Sequence, residues 1–132
     1  MTQRNTIPTT DYDMILKQLQ ALTEGETDQI TILANASALL NQFLEQINWV
    51  GFYLWDQDDK LLKLGPFQGL PACTTIAYGK GVCGTALKSM STQRVPDVEQ
   101  FPGHIVCDAA SRSEIVIPIK VHGKPYGVLD ID

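Results

Sequence analysis

Apolar side chains recur at helical spacing in two segments near the start of the chain. In residues 11–22 they fall on one face of a helix, at Tyr12, Ile15, Leu16, Leu19 and Leu22. Residues 27–46 repeat this spacing after a break at Gly25. The pattern predicts two amphipathic helices, and either the rest of the domain or a second copy of the chain must cover their apolar faces.

From residue 47 onward the apolar positions follow the spacing of strands. The pattern predicts two hairpins built from four strands, over residues 47–56, 60–69, 113–121 and 125–132. Pro118 and Pro125 fall inside the second hairpin, which predicts an edge position or a local irregularity there.

The region between the two hairpins has weaker patterns. Residues 70–77 are expected to be irregular or a short strand. Residues 79–91 are typical of a glycine-rich loop that enters a short helix near Val82. Residues 92–111 are rich in loop-forming residues, so no regular element is predicted for them.

Together these elements describe one α+β domain over residues 1–132, with helices in residues 1–46 and the sheet and its loops in residues 47–132. The hairpins make the sheet antiparallel, and the helices are expected to pack on one of its faces. The chain ends inside an apparently buried strand, so either a C-terminal helix is missing or a partner covers the second face of the sheet.

Composition and charge exclude several classes of partner. The net charge is −5 and no run of Lys or Arg occurs, which argues against nucleic acid and anionic membranes. The N-terminus has no apolar run typical of a signal peptide, and no apolar stretch approaches the roughly 20 residues of a transmembrane helix. We therefore expect a cytoplasmic protein.

The chain has three cysteines, Cys73, Cys83 and Cys107. In the cytoplasm thiols are kept reduced, so a structural disulfide framework is not expected. The spacings contain no CxxC, and the two histidines do not complete a zinc pattern, so no metal site is predicted. The cysteines are therefore either small buried side chains or redox groups.

Each cysteine has a different local environment. Cys83 precedes the predicted short helix, where unpaired N–H groups would favour a thiolate, so electrostatics alone makes it the most activated thiol. Cys107 lies in a polar loop with His104 and Arg112, which suits a nucleophile. Cys73 lies in a proline-containing loop that is expected to be mobile, and a mobile loop suits a resolving cysteine, which has to move into reach of a sulfenic acid. Simple packing remains the alternative for each of them.

Carboxylates and aromatic residues in the strands complete the candidate site. Asp130 and Asp132 alternate along one strand and share a face, and Glu114 begins the neighbouring strand. Either this face is exposed and solvates them, or the three carboxyls bind an ammonium group and one with a raised pKa supplies a proton. Trp49 and Tyr53 also share a face, either as core residues or as the floor of a small pocket.

With these residues assembled, the chain resembles the free methionine-(R)-sulfoxide reductases, which are built on a single GAF domain. The similarity covers four stretches, residues 48–55, 64–86, 97–119 and 127–132, and all three cysteines stand at the family's positions. The resemblance implies a GAF-like fold, with a six-stranded antiparallel sheet flanked by helices, and a homodimer. The family continues into a final helix, whereas this sequence ends at Asp132.

The resemblance also implies a reaction. Cys107 would attack the sulfoxide sulfur and become a sulfenic acid as methionine leaves. Cys73 or Cys83, of which the loop favours Cys73, would form a disulfide with it. Thioredoxin would then reduce this disulfide, and no cofactor is needed.

The remaining site residues have roles in the same resemblance. Glu114, Asp130 and Asp132 would hold the substrate and polarise or protonate its S=O group, and Trp49 and Tyr53 would receive its methyl end. The alternative is a non-catalytic GAF sensor that binds a small ligand or senses oxidation, or a purely structural dimerisation domain. The carboxyl groups favour the enzyme, because a sensor needs no proton donor beside its thiol.

Overall fold

The protein is described by a computed structural model that covers residues 10–104 and 111–132. Within these residues there are three α-helices, α1 Tyr12–Thr23, α2 Gln29–Phe43 and α3 Gly81–Ser89. The strands are β1 Val50–Asp56, β2 Leu61–Gln68, β3 Thr75–Ala77, β4 Gln93–Val95, β5 Glu114–Val121 and β6 Lys124–Ile131. A 3₁₀ turn over Val98–Gln100 follows β4. None of the helices described is long and apolar enough to cross a membrane.

The strands form one antiparallel six-stranded sheet in the order β3-β2-β1-β6-β5-β4. This confirms the predicted α+β class and the two hairpins, β1–β2 and β5–β6. The last strand lies between β1 and β5 in the middle of the sheet. Strand β4 was not predicted, because three residues are too few to show an alternating pattern.

Pro118 does not mark an edge strand, since the edges of the sheet are β3 and β4. Strand β4 pairs only with residues 114–116, so no β4 residue lies opposite Pro118 to require its missing N–H group. The hairpin register shifts between Ile119 and Lys120. The local irregularity expected from the prolines is therefore confirmed. Strand β5 is not an edge strand of the sheet, but Pro118 lies in a part of β5 that has no neighbour on the β4 side, which agrees with the edge alternative.

Helices α1 and α2 begin at side-chain caps and cover one face of the sheet. The carboxylates of Asp11 and Asp28 accept backbone N–H groups of the first turns. Leu33 and Ala36 of α2 pack on Phe52 of β1. The outer side of α1 leaves large apolar side chains exposed, at Tyr12, Leu16 and Leu22.

Helix α3 covers the opposite face of the sheet, so the expectation that all helices lie on one face is wrong. Its buried residues Val82, Ala86 and Leu87 share a core cluster with Tyr53, the strand neighbour of Phe52. Neighbouring residues of a strand point to opposite faces, which separates the two helical layers. Gly84 allows the close approach, since a Cβ atom there would lie 2.6 Å from the carbonyl oxygen of Ala77.

Candidate functional site

Three carboxyl groups meet where β5 begins and β6 ends. Val116 of β5 pairs with Asp130 of β6, so Glu114 and Asp132, two residues away on each strand, point to the same face. This is the α3 face, which buries Val116 completely and leaves Asp130 only 5% exposed. The structure therefore brings together the three carboxylates predicted from the sequence, and the solvated alternative is wrong for Asp130.

Backbone hydrogen bonds fix the position of Asp132. Its N–H donates to the Trp49 carbonyl at 2.9 Å, and its own carbonyl accepts the N–H groups of Asn48 at 2.8 Å and Trp49 at 3.3 Å. These bonds extend the pairing of β1 and β6 by one step beyond Ile131. Sequence reasoning missed this role of residues 48–49, because the pairing of β1 with β6 joins distant parts of the chain.

Cys83 projects from the first turn of α3 into the carboxyl cluster. Its Sγ lies 3.3 Å from Asp130 Oδ2 and 3.9 Å from Glu114 Oε2. Only 3% of this residue is exposed. Burial, followed by the negative charges of Asp130 and Glu114, raises the pKa of the thiol well above its usual range. The expectation of an activated thiolate is therefore wrong, because desolvation and the carboxylates outweigh the helix N-terminus.

The carboxyl groups of Asp130 and Asp132 are held towards their protonated forms. Burial is the main cause for both groups, and the neighbouring carboxylates add to it. The pKa of Asp130 is raised well above its usual range, and that of Asp132 is raised to about 7. Such close groups share their protons, so they titrate as a unit. The cluster can therefore hold a proton at neutral pH.

We expect Asp130→Asn to make stability less dependent on pH. Above pH 3.8, the usual pKa, the unfolded chain ionises Asp130 while the folded protein resists ionisation. The wild type therefore loses stability as the pH rises, and the variant should be more stable by at least about 1 kcal/mol at about pH 8. Urea unfolding between about pH 4 and about pH 8 measures this difference.

Asp56→Asn is the matched control for that experiment. Its hydrogen bond with Lys63 lowers the pKa of Asp56, so its contribution to stability is present at neutral pH and lost as the pH falls. This variant should keep the wild-type decline towards alkaline pH. An equal decline in Asp130→Asn would contradict the assignment of that decline to Asp130.

A cavity opens beside the carboxyl cluster. Its lining combines the carboxyl cluster with Cys83, Tyr53 and residues on both sides of the 105–110 segment. The lining residues are Tyr53, Ile76, Gly81, Val82, Cys83, His104, Ser111, Glu114, Asp130 and Asp132. The cavity measures about 30 Å³, enough for a few water molecules. His104, which the sequence placed beside Cys107, reaches this cavity, and so does Ser111.

Trp49 and Tyr53 stack with their ring centroids 6.0 Å apart, and both are almost fully buried. The indole N–H of Trp49 donates to the Leu70 carbonyl at 3.1 Å, and the Tyr53 hydroxyl donates to the Cys73 carbonyl at 2.8 Å. Tyr53 lines the cavity as expected, whereas Trp49 is not among the residues that line it. The two rings therefore fasten the loop that carries Cys73.

We expect Tyr53→Phe to lower the free energy of unfolding by about 1 kcal/mol. The change keeps the ring but removes the donor to the Cys73 carbonyl. The hydroxyl is a donor over a wide pH range, since burial raises the pKa of Tyr53. Tyr126→Phe is the control, because its bond to Gln29 is exposed and should contribute less than about 0.5 kcal/mol. Equal losses in urea unfolding would contradict this role.

The cysteines differ in their redox state. Cys73 is disulfide-bonded, and Cys83 is a free thiol. Cys107 lies outside the described residues, so its predicted role as nucleophile stays a prediction. Cys73 is half-buried beside the core that contains Trp49 and Tyr53.

The cluster also contains a set of possible metal ligands. Ligand atoms of Cys83, Glu114 and Asp130 all lie within 4.8 Å of one another. The sequence predicted no metal site because it offered no local cysteine or histidine spacing of the usual kind. This set comes from three separate elements and is visible only after folding.

Comparison with known proteins adds a family to this geometry. The GAF domain pattern matches residues 28–132. The free methionine-R-sulfoxide reductase of Escherichia coli is 53% identical over 92% of this chain and 72% of its own length.

Two solved structures are similar throughout. The fRMsr of Staphylococcus aureus in complex with substrate has a TM-score of 0.89 and 58% identity, over 97% of this chain and 82% of its own. The free methionine-R-sulfoxide reductase of Neisseria meningitidis in complex with its substrate has a TM-score of 0.89 and 41% identity, over 99% of this chain and 80% of its own. The chain therefore belongs to the GAF domain family and, within it, to the free methionine-R-sulfoxide reductases.

Proposed function

We propose that this chain reduces free methionine-(R)-sulfoxide to methionine with its cysteine thiols. The observation that carries the proposal is the group of three inward-facing carboxyls, Glu114, Asp130 and Asp132, around a cavity whose lining reaches both sides of the segment with Cys107. Membership of the reductase family supports the choice of substrate.

The acidic cavity suits a free amino acid. No Lys or Arg is among the described residues that line it, whereas three carboxyls are. Such a site attracts the primary ammonium of the substrate, which a methionine inside a peptide lacks. The cavity has to widen to admit the whole molecule, since its present volume suits only a few waters.

The first chemical step would join Cys107 to the sulfoxide. Its thiolate attacks the sulfoxide sulfur, the S=O oxygen receives a proton, and the oxygen ends on the cysteine as a sulfenic acid while methionine leaves. The proton donor would be Asp132 or Glu114, and the raised pKa of Asp132 supports its role. The cysteine is oxidised by two electrons and the substrate is reduced by two.

The second step would regenerate the thiol. The thiolate of Cys73 attacks the sulfenic acid sulfur, the S–O bond breaks as an S–S bond forms, and the departing hydroxide takes a proton from the solvent to leave as water. The disulfide bond of Cys73 and the free, buried state of Cys83 support Cys73 as the resolving residue. Thioredoxin, a dithiol reductant, would then reduce the disulfide, and no cofactor is required. We also propose a cytoplasmic homodimer, supported by the exposed apolar side chains of α1.

Turnover tests the proposal directly. Purified protein with thioredoxin, thioredoxin reductase and NADPH should convert free methionine-(R)-sulfoxide to methionine, and the (S)-epimer and an N-acetylated (R)-sulfoxide serve as controls. We expect activity on the free (R)-sulfoxide alone. If the protein bound this sulfoxide but formed no methionine with either thioredoxin or dithiothreitol, it would instead be a sensor.

A further inference from the structure

We propose that Cys83, Glu114 and Asp130 form a binding site for one soft divalent cation, of the type of Zn²⁺ or Cd²⁺. The cation would be held between the first turn of α3, the start of β5 and the end of β6. It would occupy the same cavity as the substrate and act as an inhibitor. The binding claim stands on geometry, and only the inhibition rests on the proposed function.

The distances between the ligand atoms match such a site. With typical bonds of about 2.3 Å to sulfur and about 2.1 Å to oxygen, tetrahedral Zn²⁺ places sulfur and oxygen about 3.6 Å apart. The Cys83 Sγ atom lies 3.3 Å from Asp130 Oδ2 and 3.9 Å from Glu114 Oε2. These two values lie on either side of the tetrahedral separation, so only small side-chain shifts are needed.

An unpartnered atom supports a cation site independently of these distances. Only 5% of Asp130 is exposed, yet its Oδ1 atom has no hydrogen-bond partner in the part of the chain that the structure describes. The same holds for Asp132 Oδ1. Buried carboxylate oxygens are normally satisfied, and no Lys or Arg is among the described lining residues. A cation would compensate these groups.

Size and donor type define the class of ion. The cavity of about 30 Å³ accommodates one ion with a water molecule, which leaves a coordination position open. A thiolate donor favours Zn²⁺ and Cd²⁺ over Mg²⁺ and Ca²⁺, which prefer oxygen ligands throughout. Coordination replaces the thiol proton of Cys83 and the proton that Asp130 holds, and both protons are released to the solvent, so the step needs no oxidant or reductant.

The test uses the chain reduced with a phosphine, freed of metal, and titrated with Cd²⁺ alone. A Cys73→Ser/Cys107→Ser double variant keeps Cys83 as its only cysteine. We expect it to bind one Cd²⁺ per chain and to show the ultraviolet band of a cadmium thiolate. Adding Cys83→Ser should abolish the band and weaken binding at least about tenfold. Absence of the band from the double variant, or its persistence in the triple variant, would overturn the proposal.

A second substitution distinguishes loss of cation binding from loss of folding. Asp130→Asn in the double-variant background keeps the thiol and the volume of the side chain, so it should fold while losing at least about tenfold in Cd²⁺ affinity. Circular dichroism and urea unfolding verify the fold. Unchanged affinity in a folded Asp130→Asn protein would overturn the assignment of Asp130 as a ligand.

Kinetics with the wild type test the shared cavity. Zn²⁺ should raise the KM for free methionine-(R)-sulfoxide without lowering kcat, and excess chelator should reverse the effect. A lower kcat at saturating substrate would overturn the claim that the ion and the substrate compete. An inactive wild type that still gave the Cys83-dependent band would contradict the proposed function while leaving the metal site intact.

Discussion

Replacing Cys107 by serine is expected to lower the turnover of free methionine-(R)-sulfoxide at least about 1,000-fold. A serine hydroxyl is a far weaker nucleophile than a thiolate and cannot form a sulfenic acid, so the first step would have no acceptor for the oxygen. The measurement is methionine released per protein in a rapid-quench experiment. We expect no burst, because the variant cannot complete even one turnover.

Cys73→Ser is the matched comparison, since it should stop a later step. It should release one methionine per chain and then stall with thioredoxin as reductant, because its sulfenic acid has no resolving thiol. Cys83→Ser shows which thiol resolves. A stall in Cys83→Ser with continued turnover in Cys73→Ser would move the resolving role to Cys83. A full burst from Cys107→Ser would contradict its role as nucleophile.

Asp132→Asn is expected to reduce kcat by about 100- to 10,000-fold and to change its pH dependence. The pKa of Asp132 is raised to about 7, mainly by burial and then by Glu114. An acid with this pKa is protonated below about pH 7 and loses its proton above it, so wild-type kcat should fall as the pH rises through 7. The amide cannot donate a proton to the departing oxygen, so this decline should disappear.

The pH dependence of kcat should be measured with a chelator present, so that no bound cation affects the carboxyl groups, and with a control variant outside the cluster. Asp56→Asn alters an exposed carboxylate that bonds Lys63 and should keep the wild-type profile. Because Asp130 and Asp132 titrate as a unit, the decline belongs to the cluster and not to a single group. An unchanged alkaline decline in Asp132→Asn would show that another group provides the proton.

Local patterns were sufficient for most of the fold. The alternating strands 47–56 and 125–132 fixed the faces of Trp49, Tyr53, Asp130 and Asp132, because side-chain direction in a strand depends only on residue parity. The hairpin turn at residues 122–124 then placed Glu114 beside them. The carboxyl cluster could therefore be predicted before any tertiary contact was known.

The state of Cys83 could not be predicted in the same way. Its position at a helix N-terminus is a local property and favours a thiolate. Its burial against Asp130 and Glu114 depends on α3 crossing the opposite face of the sheet from α2, which the short, glycine-rich sequence did not reveal. Strand β4 could not be predicted for the same reason, since residues 93–95 become a strand only by pairing with β5.

The central position of β6 has a consequence for how the chain acquires its structure. Val50 of β1 pairs with Ile131 of β6, so the second neighbour of β1 is synthesised only after strands β2 to β5. During synthesis β1–β2–β3 can pair early, but they remain separate from β4–β5 until β6 emerges and joins them. Such distant pairings slow folding, because a large loop must close before its contacts form. Asp130 lies on that joining strand, so the acidic cluster cannot form before β6 has paired with β5.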